Sequence, residues 1–235
     1  MSAARAHRPN LLTRWRNIQF RQLLLLIVVW LLLVPAPMTH GVLSLVFQFV
    51  FLNALIVATS EAGRHRRALR ATVLVLWSLA TSLKVIHLLN AGASTDRDIL
   101  IAAGALDAIL LAACVVVVLR FVLATRQVDT ERIFASIVAY LLMAIAFASA
   151  YDLLLMLQPH SFSFPEQSVS AGVEQQSMLY FSFVTITTLG YGDVAAILPL
   201  ARMVAVMEAV IGQFYVAVVI AWLVSAYVAQ RRTDV

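Results

Sequence analysis

The sequence predicts an all-α membrane protein with six transmembrane helices and a short re-entrant helix between the fifth and the sixth. Of its 235 residues, 62% are hydrophobic and 12% are charged, whereas a soluble domain carries about 25% charged residues. The apolar residues form long blocks, and a helix of roughly 20 apolar residues crosses a bilayer while satisfying its own backbone hydrogen bonds. One further apolar segment is too short to cross, which predicts that it enters the membrane and returns on the same side.

Six blocks have the composition of membrane spans. Their approximate limits are residues 20–34, 42–59, 69–89, 99–124, 133–157 and 198–229, and the re-entrant segment covers residues 177–189. We therefore expect four parts: a basic N-terminal segment (1–21), a four-helix peripheral domain (22–127), a second membrane domain that holds the re-entrant segment (128–230), and a short tail (231–235).

The positions of the basic residues predict that both termini lie in the cytoplasm. All but three of the 17 fall in the terminal segments, in the connections after the second and fourth spans, or within about a turn of them. The exceptions are Lys84, Arg97 and Arg202. We expect the arginine-rich residues 1–21 to lie along anionic lipid headgroups. The first span has an alternative interpretation as a cleaved signal peptide, which leaves the orientation of the other spans unchanged.

A segment with two alternating glycines follows the re-entrant helix and precedes the last span. It reads Thr187-Thr188-Leu189-Gly190-Tyr191-Gly192-Asp193. Alternating glycines allow φ values that other residues resist, so an extended strand is able to point its carbonyl oxygens to one side. Such a row of oxygens is suited to replacing the hydration shell of a cation. A Gly-Tyr-Gly triplet alone is an ordinary turn, so the prediction depends on all seven residues and their position.

These seven residues resemble the selectivity filter of the potassium channel family, with leucine where valine is commoner. The resemblance covers about residues 132–229 and is to prokaryotic channels that have a single two-helix pore module per chain, here in a six-span subunit. It implies a homotetramer in the cell membrane, a prokaryotic inner membrane, with K⁺ as the permeant ion and no organic cofactor. By the same resemblance, K⁺ binds at Thr188, Leu189, Gly190 and Tyr191, and Gly192 completes the filter.

The residues around the filter match the same family at several positions. Thr187 and Asp193 border the filter at its two ends. Tyr180 and Phe181 stand where the family has an aromatic pair behind the filter, and Tyr180 is expected to hydrogen-bond Asp193. Some relatives carry a glutamate behind the filter at the position of Val184, so the resemblance implies that no carboxyl pair forms here.

The last span has a repeating face that the resemblance assigns to the central cavity. Its members recur at spacings of three and four and are Gln213, Val216, Ile220, Val224 and Val228. Gln213 is expected just below the filter, and the three residues nearest the cytoplasm are expected to form apolar rings that close by dewetting. The alternative is that some of this face contacts lipid. Gly212 corresponds to the hinge glycine of relatives, or it serves helix packing.

Three charged residues lie deep in predicted spans, where an ionisable side chain is costly. Lys84 and Asp107 are expected to cancel as an interhelical pair, or to belong to a gating or ligand-sensing network. Glu208, in the last span, is expected to pair with a neighbouring subunit or with polar groups of the re-entrant helix. A partly exposed, protonated structural role is the alternative.

Several function classes fit poorly with these patterns. An enzyme should show clustered His, Asp, Glu or Cys at depth, whereas here only scattered single residues occur. The net charge of +5 is explained by membrane orientation rather than by a nucleic acid partner. Two alternatives stay open. A voltage-gated potassium channel with a degenerate sensor has the same layout, although the fourth span lacks an arginine ladder. A membrane-embedded transporter subunit would carry several degenerate filters, and this chain has a single intact one.

Overall fold

The computed structural model describes residues 19–33, 97–124, 129–165 and 171–233, together with the single residues 75, 78, 79 and 82. Its elements in chain order are α1 (Gln19–Leu33), α2 (Arg97–Leu123), α3 (Thr130–Leu157), β1 (Phe162–Ser163), α4 (Ala171–Ile186), β2 (Ala195–Ala196), α5 (Pro199–Phe214), a π-helix (Tyr215–Ile220) and α6 (Ala221–Thr233). The predicted second span and most of the third lie outside the described residues, so the count of six spans stays a prediction.

Three helical stretches in the described part of the chain are long and apolar enough to cross a membrane. They are α2, α3 and the stretch Pro199–Gln230, with 27, 28 and 32 residues, and roughly 20 suffice for a span. Their ends lie within three residues of the limits predicted for the fourth, fifth and last spans. α1 has 15 residues and α4 has 16, so both are shorter than a typical span. The chain is a membrane protein.

α1 packs against α2 and α3 through large apolar side chains. Phe20 and Ile27 of α1 are buried in the same core as Val122 of α2. The Phe20 ring stacks on Phe121 with 5.0 Å between the centroids. The guanidinium of Arg132, at the start of α3, lies 5.4 Å from the Phe121 centroid. These contacts attach α1 and α2 directly to α3.

Polar groups define both ends of α3. The Asp129 carboxylate accepts from the backbone N–H of Arg132 at 3.1 Å, which satisfies one of the donors that a helix start leaves unpaired. At the other end, the guanidinium of Arg97 donates to the carbonyl of Met156 at 2.7 Å, placing a cation near the negative end of the helix. The chain then turns at His160, which has a φ of 73°.

A short antiparallel ribbon joins the end of α3 to the start of α5. Phe162 of β1 pairs with Ala196 of β2, and the neighbouring N–H of Ile197 donates to the carbonyl of Ser161 at 2.8 Å. Between the two strands in the sequence lies α4, which packs against both α3 and α5. The ribbon therefore closes a loop that holds α4 and the glycine-containing segment between two spanning helices.

The last span contains a π-helical turn, whereas its hydrophobic pattern predicts one regular helix. The turn begins at Tyr215, whose hydroxyl donates to the carbonyl of Ser136 at 2.7 Å. The Tyr215 ring also stacks on Tyr140, with 5.7 Å between the centroids. Both partners lie on α3, so the start of the widened turn is fixed against that helix. Turns of this kind frequently occur at functional sites.

Candidate functional site

The backbone after α4 alternates between two conformations. Thr188, Gly190 and Gly192 have φ values of 57°, 60° and 78°, whereas Leu189 and Tyr191 between them have negative φ. An alternation of this kind lets successive carbonyl oxygens face the same side. Glycine occupies two of the three left-handed positions without steric cost. The β-branched Thr188 occupies the third against its intrinsic preference, which indicates that its surroundings impose the conformation.

Backbone hydrogen bonds join the start of this segment to the end of α4. The N–H groups of Leu189 and Gly190 both donate to the carbonyl of Val184, at 2.9 and 3.3 Å. The N–H of Thr188 donates to the carbonyl of Thr185 at 2.9 Å. These bonds use carbonyl groups that the end of a helix leaves unpaired. Val184 therefore supports the segment through its backbone, while its side chain is buried.

Tyr180 connects α4 to the outer half of the segment. Its ring is nearly parallel to that of Tyr191, with an interplanar angle of 4° and 6.5 Å between the centroids. Its hydroxyl also interacts with the carboxylate of Asp193, and the hydrogen bond expected between them stays a prediction. Beyond Asp193, the guanidinium of Arg202 donates to the carbonyl of Ala196 at 3.1 Å. Side chains on both flanking helices thus hold the outer end of the segment and the strand after it.

Two other residues predicted to support the filter point elsewhere. The Thr187 hydroxyl turns back to the carbonyl of Phe183, at 2.6 Å. Phe181 packs edge-to-face against Tyr151 and Phe162, at centroid distances of 5.1 and 5.4 Å. The predicted aromatic pair behind the filter is therefore divided. Tyr180 contacts the segment, whereas Phe181 anchors α4 to α3 and the ribbon, because adjacent residues on a helix face different directions.

The inner end of the segment meets the last span. Gln213 donates from Nε2 to the hydroxyl oxygen of Thr188 at 3.2 Å. Gly212 packs against Ile186 so closely that an added Cβ would lie 2.6 Å from both the carbonyl oxygen and Cγ1 of Ile186. The same carbonyl accepts from the hydroxyl of Tyr140 at 3.1 Å. This close approach favours a packing role for Gly212 over a hinge.

An open groove follows the π-helix and α6. The residues that line it are Val216, Ile220, Ala221, Val224, Ser225, Val228 and Ala229. Four of them belong to the predicted cavity face. Ala221, Ser225 and Ala229 were missed, although each directly follows one of the predicted residues and recurs at the same spacing of four. The groove is apolar except for the Ser225 hydroxyl.

The elements that build this geometry match a family model described as an ion channel, over residues 139–229. These residues form an ion channel domain. The match includes most of α3, all of α4, the glycine-containing segment and the last span up to Ala229, which is less than half of the chain. The domain points to a channel protein that is not an enzyme. Neither a curated protein nor a solved structure matches the chain.

Glu208 is fully buried inside the ion channel domain. The Tyr151 hydroxyl donates to its Oε2 at 2.5 Å, and its Oε1 is hydrogen-bonded to the hydroxyl of Ser182. The Ser182 hydroxyl also contacts the carbonyl of Ala144 at 2.6 Å. Glu208 thus pairs with a polar group of α4 in its own chain, and it is not partly exposed in this subunit. Sequence spacing gave no signal for Tyr151 and Ser182, which are 57 and 26 residues away.

The other two intramembrane charges are only partly described. Lys84 lies outside the described residues, so its pairing with Asp107 stays a prediction. Asp107 is half-buried in α2 and interacts with another group. In the described ranges, no three His, Cys, Asp or Glu side chains come together in a way that could hold a metal ion.

Proposed function

We propose that the chain is a subunit of a potassium-selective channel that conducts K⁺ passively down its electrochemical gradient. The supporting observation is the alternating backbone of Thr188, Gly190 and Gly192 within the ion channel domain. K⁺ loses its hydration shell in a narrow pore, and backbone carbonyl oxygens replace the lost water. In this proposal K⁺ occupies sites formed at Thr188, Leu189, Gly190 and Tyr191, with the Thr188 hydroxyl as the innermost oxygen.

The proposed pore is a homotetramer, because one strand supplies one side of an oxygen cage and the carbonyl filter of this type uses four. Large apolar side chains on α5 support the assembly. Leu200, Met203, Val206, Met207, Val210 and Phe214 are each 47–64% exposed in the single chain. Contiguous exposed apolar surface of this kind marks contacts with protein or membrane. Neighbouring subunits and lipid acyl chains cover these residues in the proposed assembly.

Below the filter, the groove along the π-helix and α6 faces the central axis. Ile220, Val224 and Val228 form apolar rings there, and such constrictions gate by dewetting. The C-terminal end of α4, near Thr185, carries the negative end of the helix dipole and stabilises a cation in the cavity. In this proposal the basic residues of both termini lie on the cytoplasmic side of the cell membrane, in line with the positive-inside rule, and that membrane is a prokaryotic inner membrane.

The test is the reversal potential of the purified protein in liposomes of defined lipid, with K⁺ and Na⁺ varied separately. We expect the potential to follow the K⁺ gradient. G190A should abolish conduction or selectivity, because a left-handed backbone costs a residue other than glycine about 1–2 kcal/mol in each subunit. An added Cβ at Gly190 would meet no atom of the same chain within 4 Å, so the loss would come from the backbone.

Two further results would contradict the proposal. One is a reversal potential of the unmodified protein that ignores the K⁺ gradient. The other is a conducting monomer or dimer in nanodiscs, where mass measurement should give four copies. G104A is the matched control, since its added Cβ would make ordinary contacts of 3.7 and 3.8 Å with Leu153 and Met156.

A further inference from the structure

A buried chain of hydrogen bonds connects three helices of the ion channel domain. It runs from the hydroxyl of Tyr151 through both carboxyl oxygens of Glu208 to the hydroxyl of Ser182, and ends at the carbonyl of Ala144. Tyr151 and Ala144 belong to α3, Ser182 to α4 and Glu208 to α5. Glu208 and Ser182 are completely buried, and so is Tyr151. These groups therefore have no contact with solvent, and their hydrogen-bond partners have to come from the protein.

The number of protons decides the ionisation state of Glu208. This series of hydrogen bonds contains three oxygen–oxygen contacts, and each needs one hydrogen between its two oxygens. Tyr151 supplies one hydrogen and Ser182 supplies another, while the Ala144 carbonyl has none to give. The third hydrogen has to come from Glu208 itself. With a protonated carboxyl, Tyr151 donates to Oε2, Oε1–H donates to Ser182, and Ser182 donates to Ala144, so every contact is satisfied.

An ionised Glu208 leaves this series of hydrogen bonds one hydrogen short. If Ser182 donated to the carboxylate, its oxygen would face the Ala144 carbonyl at 2.6 Å with no hydrogen between them, which is repulsive. If it donated to Ala144, the same repulsion would fall between Ser182 and the carboxylate. A buried carboxylate also needs a cation, and in the described part of this chain no Lys, Arg or His contacts Glu208. Of the ionisable groups on α3, Tyr151 contacts Glu208, and Tyr140 interacts with it electrostatically while its hydroxyl bonds to Ile186.

We propose that Glu208 is a protonated carboxylic acid and acts as a positioning residue for the filter. Its proton is the hydrogen that bonds α5 to α4, and the Ser182 hydroxyl carries the connection on to α3. Ser182 lies two residues before Val184, whose carbonyl holds Leu189 and Gly190 of the filter segment. The assignment of the proton depends only on contacts within the ion channel domain, whereas the expected effect on K⁺ conduction rests on the proposed function.

Infrared spectroscopy tests the proton directly. The unmodified protein should show the carbonyl stretch of a protonated carboxylic acid at neutral pH, and the band should vanish in E208Q. D152N is the matched control, because Asp152 is the neighbour of Tyr151 and is half-buried, and it should retain the band. Raising the pH should remove the band together with the heat stability of the assembly. A spectrum that E208Q leaves unchanged at neutral pH would overturn the proposal, whether or not the protein conducts K⁺.

A second pair of variants tests the positioning role. In E208Q the amide donates to Ser182 and accepts from Tyr151, which copies the hydrogen bonds of the protonated acid. It should therefore conduct like the unmodified protein and lose its alkaline sensitivity. E208L keeps the volume but leaves Tyr151 without a partner and breaks the link from α5 to Ser182, which keeps only its bond to Ala144. We expect K⁺ flux to fall about tenfold.

S182A provides the test in case E208L does not assemble. Without the Ser182 oxygen the carboxyl hydrogen has no acceptor, so the infrared band should shift to that of a weakly bonded acid, and flux should fall. If E208Q lost K⁺ flux as severely as E208L, Glu208 would have to be ionised in the conducting protein, and the proposal would be overturned. A protein that shows the band but no K⁺ conduction would contradict the proposed function and leave the proton assignment standing.

Discussion

Gly212 of α5 lies directly against the main chain of Ile186, the last residue of α4. A Cβ at Gly212 would be 2.6 Å from the Ile186 carbonyl oxygen, a distance that side-chain carbons essentially never show. The Tyr140 hydroxyl donates to the same oxygen at 3.1 Å. A shift of this carbonyl away from Gly212 would therefore disturb that hydrogen bond. The absence of a side chain at Gly212 sets the spacing between α5 and the end of α4, where the glycine-containing segment begins.

We predict that G212A moves α5 away from α4 and destabilises the assembly by about 1–3 kcal/mol, the usual cost of overpacking. The displacement should also lengthen the contact between Gln213 and Thr188, so K⁺ flux should fall together with stability. The measurement is the temperature at which the purified oligomer dissociates, combined with K⁺ flux from liposomes.

G104A is the control for this prediction, because alanine at that position in α2 meets only ordinary contacts. It should match or slightly exceed the stability of the unmodified protein, since alanine has the higher helix propensity. A G212A protein as stable and as active as G104A would show that the close approach to Ile186 has no consequence.

We predict that Q213L alters the binding of K⁺ at the inner end of the filter. It removes the hydrogen bond from Gln213 to the Thr188 hydroxyl oxygen, and a bond of this kind contributes about 0.5–1.5 kcal/mol. The Thr188 hydroxyl then rotates freely, so the K⁺ concentration for half-maximal conductance should shift by about two- to tenfold. T188S keeps the acceptor oxygen and is expected to leave that concentration nearly unchanged. Equal shifts in both variants would point to the methyl group of Thr188 instead.

We predict that V224T raises the open probability. Val224 lines the groove and is 49% exposed in the single chain, so a hydroxyl there would hydrate the proposed apolar ring. Replacing apolar by polar surface shifts the equilibrium between a dry and a wet constriction by about 1 kcal/mol, or roughly fivefold. V218T is the matched control, because Val218 is 58% exposed on the same span but does not line the groove. Similar open probabilities in both variants would favour gating at the filter.

The local pattern of the sequence was sufficient to predict the three long helices of the described residues and four residues of the groove face. Residues 216, 220, 224 and 228 share one face because helix periodicity depends on spacing alone. The alternating glycines likewise predicted the left-handed backbone at Gly190 and Gly192. The left-handed Thr188 was not predicted, since threonine disfavours that region and only tertiary contacts hold it there.

Contacts between distant residues could not be predicted from spacing. The chain from Tyr151 through Glu208 to Ser182 joins three helices, and no local rule relates their positions. The π-helical turn has the same origin. Val216 to Ile220 read as ordinary apolar helix, and the widening appears only where Tyr215 is fixed to Ser136 of α3. The separate direction of Phe181 also depends on partners from α3 and the ribbon.

The charges of α2 set a limit on voltage sensing. A sensor helix carries arginine at about every third position, and steep gating moves roughly 3–4 charges per subunit. From Arg97 to Leu123, the charged residues of α2 are Arg97, Asp98, Asp107 and Arg120. Arg97 sits at one end and is bonded to the carbonyl of Met156. Arg120 lies in the last turn at the other end. Between the two ends the helix offers Asp107 alone.

We therefore predict that voltage alone gates the channel weakly. Each elementary charge that crosses the whole field contributes about 2.3 kcal/mol per 100 mV, and α2 could move at most about one charge per subunit. The measurement is a conductance–voltage curve in symmetric K⁺, which should be shallow. R120Q should flatten it slightly, whereas R202Q, outside α2, should leave the slope unchanged. A limiting slope that corresponds to about ten or more charges per channel would mean that another helix carries the sensor.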